Sequence, residues 1–431
     1  VTQALSAGVL VAARVESGGR WAFWTSVLMV LTFTQFWVMP LTGPDGDAEA
    51  SSLIRMLYFP AYGAALLLAI TRVRETARTA LRVPLLWMLI VMVFVSALWS
   101  IDPSVTQRRG VAVLFTTLAG VVLAARYDWT ELSEVLGAAL AILVFACFFL
   151  ALFVPSYGRM TQLFPGAWRG VWYEKNALGD HMSIACIVFA AAAILNPKRW
   201  WLWVVMEGLA MTLILLSTSK TSLVALLIGL AGLGFVILAK RGPALGVITT
   251  FMGVTALLAL IGIVYFASDT VLGLLGKDAT LTGRTRLWAA VLSQIHTRPW
   301  TGFGYGAVWN DKTIWGPLAW ISKRAKFIAT HAHNSWLEVW LGMGCIGLGL
   351  WALAFAEAWV RSLTTLYRSV GGYFAPPFLA VYSLMTLTES VAVVYNDFIW
   401  VMFVAVAAKL AAPSRSDDSP VLALRFAAPS P

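Results

Sequence analysis

The sequence predicts an all-α, polytopic integral membrane protein, and three observations carry that prediction. Of 431 residues, 60% are hydrophobic and 12% are charged, where a soluble domain carries about 25% charged residues. Apolar runs long enough to cross a bilayer recur along most of the chain. Between them, cations gather in short connectors, as the positive-inside rule expects.

About twelve spans are expected, at 21–39, 52–71, 83–99, 109–125, 133–154, 177–195, 200–217, 221–239, 243–267, 334–357, 374–394 and 398–411. The first follows Arg14 and Arg20 and is too long for a signal-peptide core. The Ala48-Glu49-Ala50 triplet lies well beyond its end, so the run reads as an uncleaved helix. Short connectors at 217–221 and 239–243 read as helical hairpins, and no internal repeat stands out. Cys147, Cys186 and Cys345 all lie in apolar runs and read as small buried hydrophobes.

Orientation follows from the connectors. Arg72, Arg74, Arg78 and Arg82, then Lys198-Arg199, Lys240-Arg241, and Arg361 with Arg368 fall on one side when twelve helices start inside. That side is the cytoplasm, both termini included, and the acidic connector 43–50 falls outside. Residues 1–411 form one transmembrane helical domain, with 412–431 a short disordered tail.

Two long segments remain outside, 155–176 and 268–333, the larger between helices nine and ten. Within the larger one, 284–295 is amphipathic, with Leu287, Trp288, Val291 and Ile295 on one face, suited to lying on the membrane or capping the helices. Both segments are basic. Lys277, Arg284, Arg286, Arg298, Lys312, Lys323, Arg324 and Lys326 stand against Asp269, Asp278 and Asp311. Arg159, Arg169 and Lys175 stand against Glu174. Long loops translocate regardless of charge, so a solvated basic loop is the plain reading. The sharper one is an anion on the outer face, best a lipid-linked phosphate or pyrophosphate. Nucleic acid does not fit on that side.

Six motifs stand out. "THAHNSWLEVWLGMGCIG" (330–347) holds two of the four histidines, His331 and His333, at the start of an apolar run. A zinc site would need further ligands, and His181 and His296 are far in sequence, so no metal is expected. An interfacial structural role competes with that of a general base, for which a helix N-terminus and nearby cations favour neutral imidazole. Asn334 is placed to cap the helix, and Gly342, Gly344 and Gly347 to allow close helix packing below. "WRGVWYEKNALG" (168–179) sets Arg169 and Lys175 at a helix N-terminus, suited to an anion or to a snorkelling interfacial belt. "STSKTS" (217–222) lacks the glycines of a phosphate loop, yet Lys220 can join a basic cluster. "TLTGRTRLW" (280–288) and "RPWTGFGYG" (298–306) read as a turn, a helix and a glycine-rich turn, while "ALWSIDPS" (97–104) says little alone.

Taken in chain order, from "SALWSIDPS" through "RGVWYEKNALG", "STSKTS", "TLTGRTRLW" and "RPWTGFGYG" to "HAHNSWLEVWLGMGCIG", from about residue 95 to 350, the motifs resemble the O-antigen ligase and Wzy polymerase superfamily, closest to its ExoQ-like exopolysaccharide polymerases. Glu174 stands where that pattern has a histidine, and "SK" replaces a more usual "SR". The resemblance implies a metal-independent, inverting, GT-C-like glycosyltransferase of the bacterial inner membrane, with no cofactor and its active site on the periplasmic face. It would move a glycan from undecaprenyl pyrophosphate to a sugar hydroxyl. His333 matches the base. Arg169, Lys175, Lys220, Arg284, Arg286, His331 and Asn334 are the candidates to hold pyrophosphate or glycan. Implied partners are the lipid-linked donor, a glycan acceptor and membrane lipids, with a chain-length regulator or export machinery as further candidates. Polymerase and ligase stay open, differing only in acceptor. A transporter of lipid-linked glycan is the rival from another class, with Arg55, Asp180, Glu338, Glu357 and Glu389 as the ionisable residues within or beside spans. A scaffold subunit would not need the outer cations.

Overall fold

The computed structural model describes residues 19–44, 52–162, 164–266 and 284–413. The expectations placed on Arg14, the 48–50 triplet, Asp269, Lys277, Asp278, residues 280–283 and the tail beyond 413 lie outside them.

Among the described residues the chain is helical, with an isolated β-bridge between Arg159 and Trp168 and no strand. Each expected span contains a helix, although 21–39 and 52–71 are interrupted and 374–394 is helical only to Thr388. Eight helices are long and apolar enough to cross a membrane, and a ninth span is reached by joining Val73–Leu81 to Pro84–Leu98. Three shorter apolar helices, Arg20–Phe33, Pro243–Thr255 and Phe398–Ala411, fall on the remaining segments. This is a multi-pass membrane protein. The starts follow local chemistry. Proline sits in the first turn of Phe59–Thr71, Pro84–Val95, Pro317–Ala325 and Ala375–Thr388, where its missing N–H costs nothing. Asp128 and Glu131 form a reciprocal cap on Trp129–Phe153.

The chain divides into two compact units that interleave in sequence. Of the described residues, one comprises those up to Arg82, Phe115–Leu223 and those from Asn396, the other Val83–Leu114 and Val224–Tyr395. In the first, Lys175–Leu195 is the central helix, packed on Trp200–Ser217 and Trp129–Phe153. Its small residues, including Gly179, Ala185, Cys186 and Ala190, let the neighbours approach closely and are buried.

In the second unit, Ser335–Thr365 packs on Pro84–Val95 and Ala375–Thr388. The outer segment builds its own small core. Leu287, Val291 and Ile295 from Arg284–Ile295 meet Ile321 and Ala325 from Pro317–Ala325, together with Phe303, Val308, Ala332 and Leu341. The amphipathic helix 284–295 therefore caps other helices with its apolar face. The one departure is Trp288, expected on that face but half-buried.

Gly342 and Gly344 serve a different neighbour from the one expected, admitting the backbone of the glycine-rich turn instead of another helix, whereas a Cβ on Gly347 would meet only Met343 of its own helix. Phe303 and Gly304 donate N–H to the Leu341 and Gly342 carbonyls at 2.9 Å. Gly344 breaks the helix with φ +65°, and a Cβ there would lie 2.0 Å from the Trp300 carbonyl oxygen. The stretch 96–109 docks on the same turn. Ile101 N–H donates to Phe303 O at 3.0 Å, Trp99 Nε1 to Thr301 O at 2.8 Å and Thr106 Oγ1 to Tyr305 O at 3.1 Å. Two motifs that say little alone are one structural joint.

Candidate functional site

The histidine segment is held from three sides. Ala332, between the two histidines, is fully buried. Its N–H donates to Glu338 Oε2 at 2.8 Å, and its carbonyl accepts from Trp288 Nε1 at 3.0 Å. The middle residue is thus pinned inward, while its two neighbours are only half-buried. His331 and His333 face each other, ring centroids 3.8 Å apart. Asn334 Oδ1 caps Ser335–Thr365 by accepting from the N–H groups of Trp336 and Leu337 at 3.0 and 3.1 Å, and its Nδ2 donates to Leu387 O at 3.3 Å. His333 itself has φ +49°, a left-handed conformation unusual for a non-glycine residue. Strain of this kind concentrates at functional sites.

The third group is Glu389. The apolar run expected to span to 394 stops being helical at Thr388. The chain turns there, and Glu389 is directed to the histidines. Its Oε2 accepts from His333 Nδ1 at 2.8 Å, and His331 Nε2 lies 3.9 Å from the same oxygen. Its Oε1 accepts from Arg284 Nη2 at 2.6 Å, while Arg284 Nη1 donates to Thr388 O at 2.6 Å. Ser335 ties down the backbone, donating Oγ–H to Glu389 O at 2.8 Å and accepting from the N–H groups of Val391 and Ala392. Burial alone would raise the Glu389 carboxyl. The nearby His331 ring, the hydrogen bond from His333 and the charge of Arg284 outweigh it and hold the carboxyl well below the usual carboxylate range.

The chemistry follows from this donor pattern. A carboxylate on Nδ1 requires that nitrogen to carry the proton, so neutral His333 has its lone pair on Nε2. Arg284 fixes the carboxylate and balances its charge. The result is an oriented imidazole ready to accept a proton. Glu389 also supplies the third donor whose absence argued against a metal. The trio's ligand atoms lie within 4.8 Å of one another, which would suit a metal ion. Arg284 already bonds the same carboxylate, however, and supplies the positive charge a metal would bring.

Arg286, on the same helix as Arg284, is exposed. The other expected cations belong to the other unit. Arg169 is buried, donating from Nε to Tyr157 O at 2.7 Å and from Nη2 to Ser156 O at 2.9 Å. Lys175 Nζ donates to Thr218 O and Oγ1 at 3.3 and 3.2 Å and sits 3.8 Å from the Phe164 ring centroid. Lys220 is exposed. The two motifs they come from meet, with Ser219 Oγ donating to Asn176 Oδ1 at 3.0 Å and Ser222 Oγ to Asp180 Oδ1 at 3.1 Å.

Sequence reasoning had Glu389 only as an ionisable residue within an expected span. The signal that finds it is the isolation of a carboxylate in an apolar run, which must have a partner. Glu338, likewise known only as a charge near a helix end, holds the histidine segment through Ala332.

Residues 205–352 match the family described as O-antigen ligase. The chain is similar to the exopolysaccharide production protein ExoQ of Rhizobium meliloti (strain 1021), with 30% identity over 300 residues, covering 65% of this chain and 66% of that protein. The chain thus spans just under two thirds of that relative's length.

Proposed function

We propose that this chain, which carries an O-antigen ligase family domain over residues 205–352, is an inverting, metal-independent glycosyltransferase. It takes a glycan from undecaprenyl pyrophosphate on the periplasmic face of the inner membrane. The observation that carries the reading is the 2.8 Å contact between His333 Nδ1 and Glu389 Oε2, because it sets the imidazole in the tautomer a general base requires.

In the proposed step, His333 Nε2 takes the proton of an acceptor hydroxyl. The oxygen attacks the anomeric carbon, and the bond from that carbon to the pyrophosphate oxygen breaks on the opposite face. The electron pair leaves with the pyrophosphate, and the configuration inverts. Arg284 acts through Glu389, as a positioning residue. Arg286, on the same helix, is the cation offered to the departing charge, where such a donor is worth roughly 10²–10³ in rate. For Arg169, Lys175 and Lys220 a role at the diphosphate is a separate proposal, tested by Lys220→Ala, whose side chain is exposed.

A polymerase is preferred to a ligase, since the relative's printed name is exopolysaccharide production. The test is in vitro transfer with purified protein, EDTA and a defined undecaprenyl-pyrophosphate-linked oligosaccharide without added acceptor. A ladder of longer lipid-linked products, lost in His333→Ala, supports a polymerase. Transfer only after lipid A core is supplied makes it a ligase. Silence in both from a well-folded protein favours the transporter.

A further inference from the structure

Outside the spans, the surface of residues 312–328 combines strong apolar exposure with a run of cations. Ile314, Trp315 and Ile328 are exposed by 82%, 80% and 80%, with Trp320 and Phe327 also exposed. Within this stretch, Pro317–Ala325 buries Pro317, Ile321 and Ala325, spaced four apart, and the last two join the small outer core. The opposite stripe of the helix therefore carries Trp320, Lys323 and Arg324, with Phe327 just past its end. Lys326 closes the helix in a left-handed conformation, φ +66°. Lys312, Lys323, Arg324 and Lys326 are all exposed. Lys323 Nζ lies 5.4 Å from the Trp320 ring centroid. The nearby acid, Asp311, accepts from the N–H and hydroxyl of Thr313 at 3.0 and 2.6 Å.

Apolar groups this exposed are costly in water, and a contiguous set of them marks an interaction surface. Tryptophans interleaved with lysine and arginine match the polar–apolar boundary of a bilayer, where the rings sit at headgroup level and the cations reach phosphates. A sugar polymer would be met by flat aromatic faces. Ile314 and Ile328 are branched aliphatics that offer it nothing, whereas acyl chains accept them. We propose that residues 312–328 form an interfacial anchor seated in the headgroup layer, where it binds anionic phospholipid. The inner face of the same helix packs into the core that holds Ala332, next to His333. The anchor thereby sets the depth of the histidine pair relative to the membrane surface. The proposal concerns lipid contact and stands apart from the transfer reaction.

The test uses the full chain in nanodiscs. In a Cys345→Ala background, which leaves the buried Cys147 and Cys186, Ile314→Cys and Ile328→Cys are each labelled with an environment-sensitive fluorophore. Discs contain phosphatidylcholine alone or with phosphatidylglycerol. The expected result is blue-shifted emission, quenching by spin-labelled lipid and protection from aqueous iodide. Quenching should be stronger with phosphatidylglycerol, and that increment should vanish in Lys323→Glu/Arg324→Glu/Lys326→Glu. Full access to iodide overturns the proposal. So does protection from iodide without lipid quenching, which would mean cover by residues 267–283 or a second copy. Equal quenching in both lipids overturns the anionic preference, and with it the proposal as stated. Displacement of the label from lipid by added glycan would reassign the surface to the product chain.

Discussion

Glu389→Gln isolates the charge that orients His333. The Glu389 carboxylate accepts two strong bonds, from His333 Nδ1 at 2.8 Å and Arg284 Nη2 at 2.6 Å. Glutamine has the same length but a single acceptor oxygen. Whichever partner keeps that oxygen, the other meets an NH₂ group, and donor faces donor. If the oxygen stays with Arg284, the imidazole loses the bond that holds its proton on Nδ1 and can turn or switch tautomer. A positioned general base is worth about 10²–10⁴ in rate, so kcat should fall by about that factor, or roughly 2.7–5.4 kcal/mol of transition-state stabilisation at 1.36 kcal/mol per decade. KM for the donor should change little, because the carboxylate makes no contact with the donor in this mechanism. Glu389→Asp keeps the charge but withdraws it by about one carbon–carbon bond, ~1.5 Å, and should recover part of the loss. The assay is single-turnover extension of a defined lipid-linked oligosaccharide, with the melting temperature read in parallel. If Glu389→Gln inserts and melts normally yet stays within about tenfold of wild type, well short of a general base's worth, the orientation argument fails and His333 acts without a carboxylate.

Arg284→Ala removes the donor from a pair whose side chains are 19% and 15% exposed. It should cost about 1–3 kcal/mol, discounted from a fully buried pair for solvent access, and lower kcat with it; an unchanged melting temperature would contradict this. The Glu389 carboxyl is held below its ordinary 4.5, so its ionisation stabilises the fold fully above that value and the benefit is lost as pH falls through the folded value. The wild-type advantage in melting temperature over Glu389→Gln should then shrink as pH falls below about 4.5. Transfer should persist in EDTA; loss restored by Zn²⁺ would turn the His331, His333 and Glu389 trio into a metal site. Gly344→Ala puts a Cβ 2.0 Å from the Trp300 carbonyl at φ +65°. It should cost about 2–5 kcal/mol, read as loss of monodisperse protein, and wild-type yield would argue against that close approach.

The parts legible in the sequence are those that one segment decides by itself. A run such as 221–239 carries no charge over nineteen residues, and Lys220–Ala239 is a helix because a helix satisfies its backbone in lipid within one segment. Asn334 caps because capping is settled within three residues of chain. Glu389 is the opposite case. It sits in an apolar run that reads as continuing to 394, and its partner His333 is 56 residues away. Nothing local announces that the helix stops at Thr388. The stop is imposed from outside, by Ser335, which accepts from the N–H groups of Val391 and Ala392 and donates to the Glu389 carbonyl. Composition does record the consequence. A carboxylate in an apolar stretch with no cation one helical turn away is costly there while charged and unpaired, and the outer segment 268–333 is where the chain gathers cations and histidines. Two histidines and an arginine without apparent structural duty, in a segment with no apolar run of its own, are the natural candidates. Charge balance within apolar runs can therefore reveal a site that periodicity hides, because a carboxylate stranded there draws its partners from elsewhere in the chain.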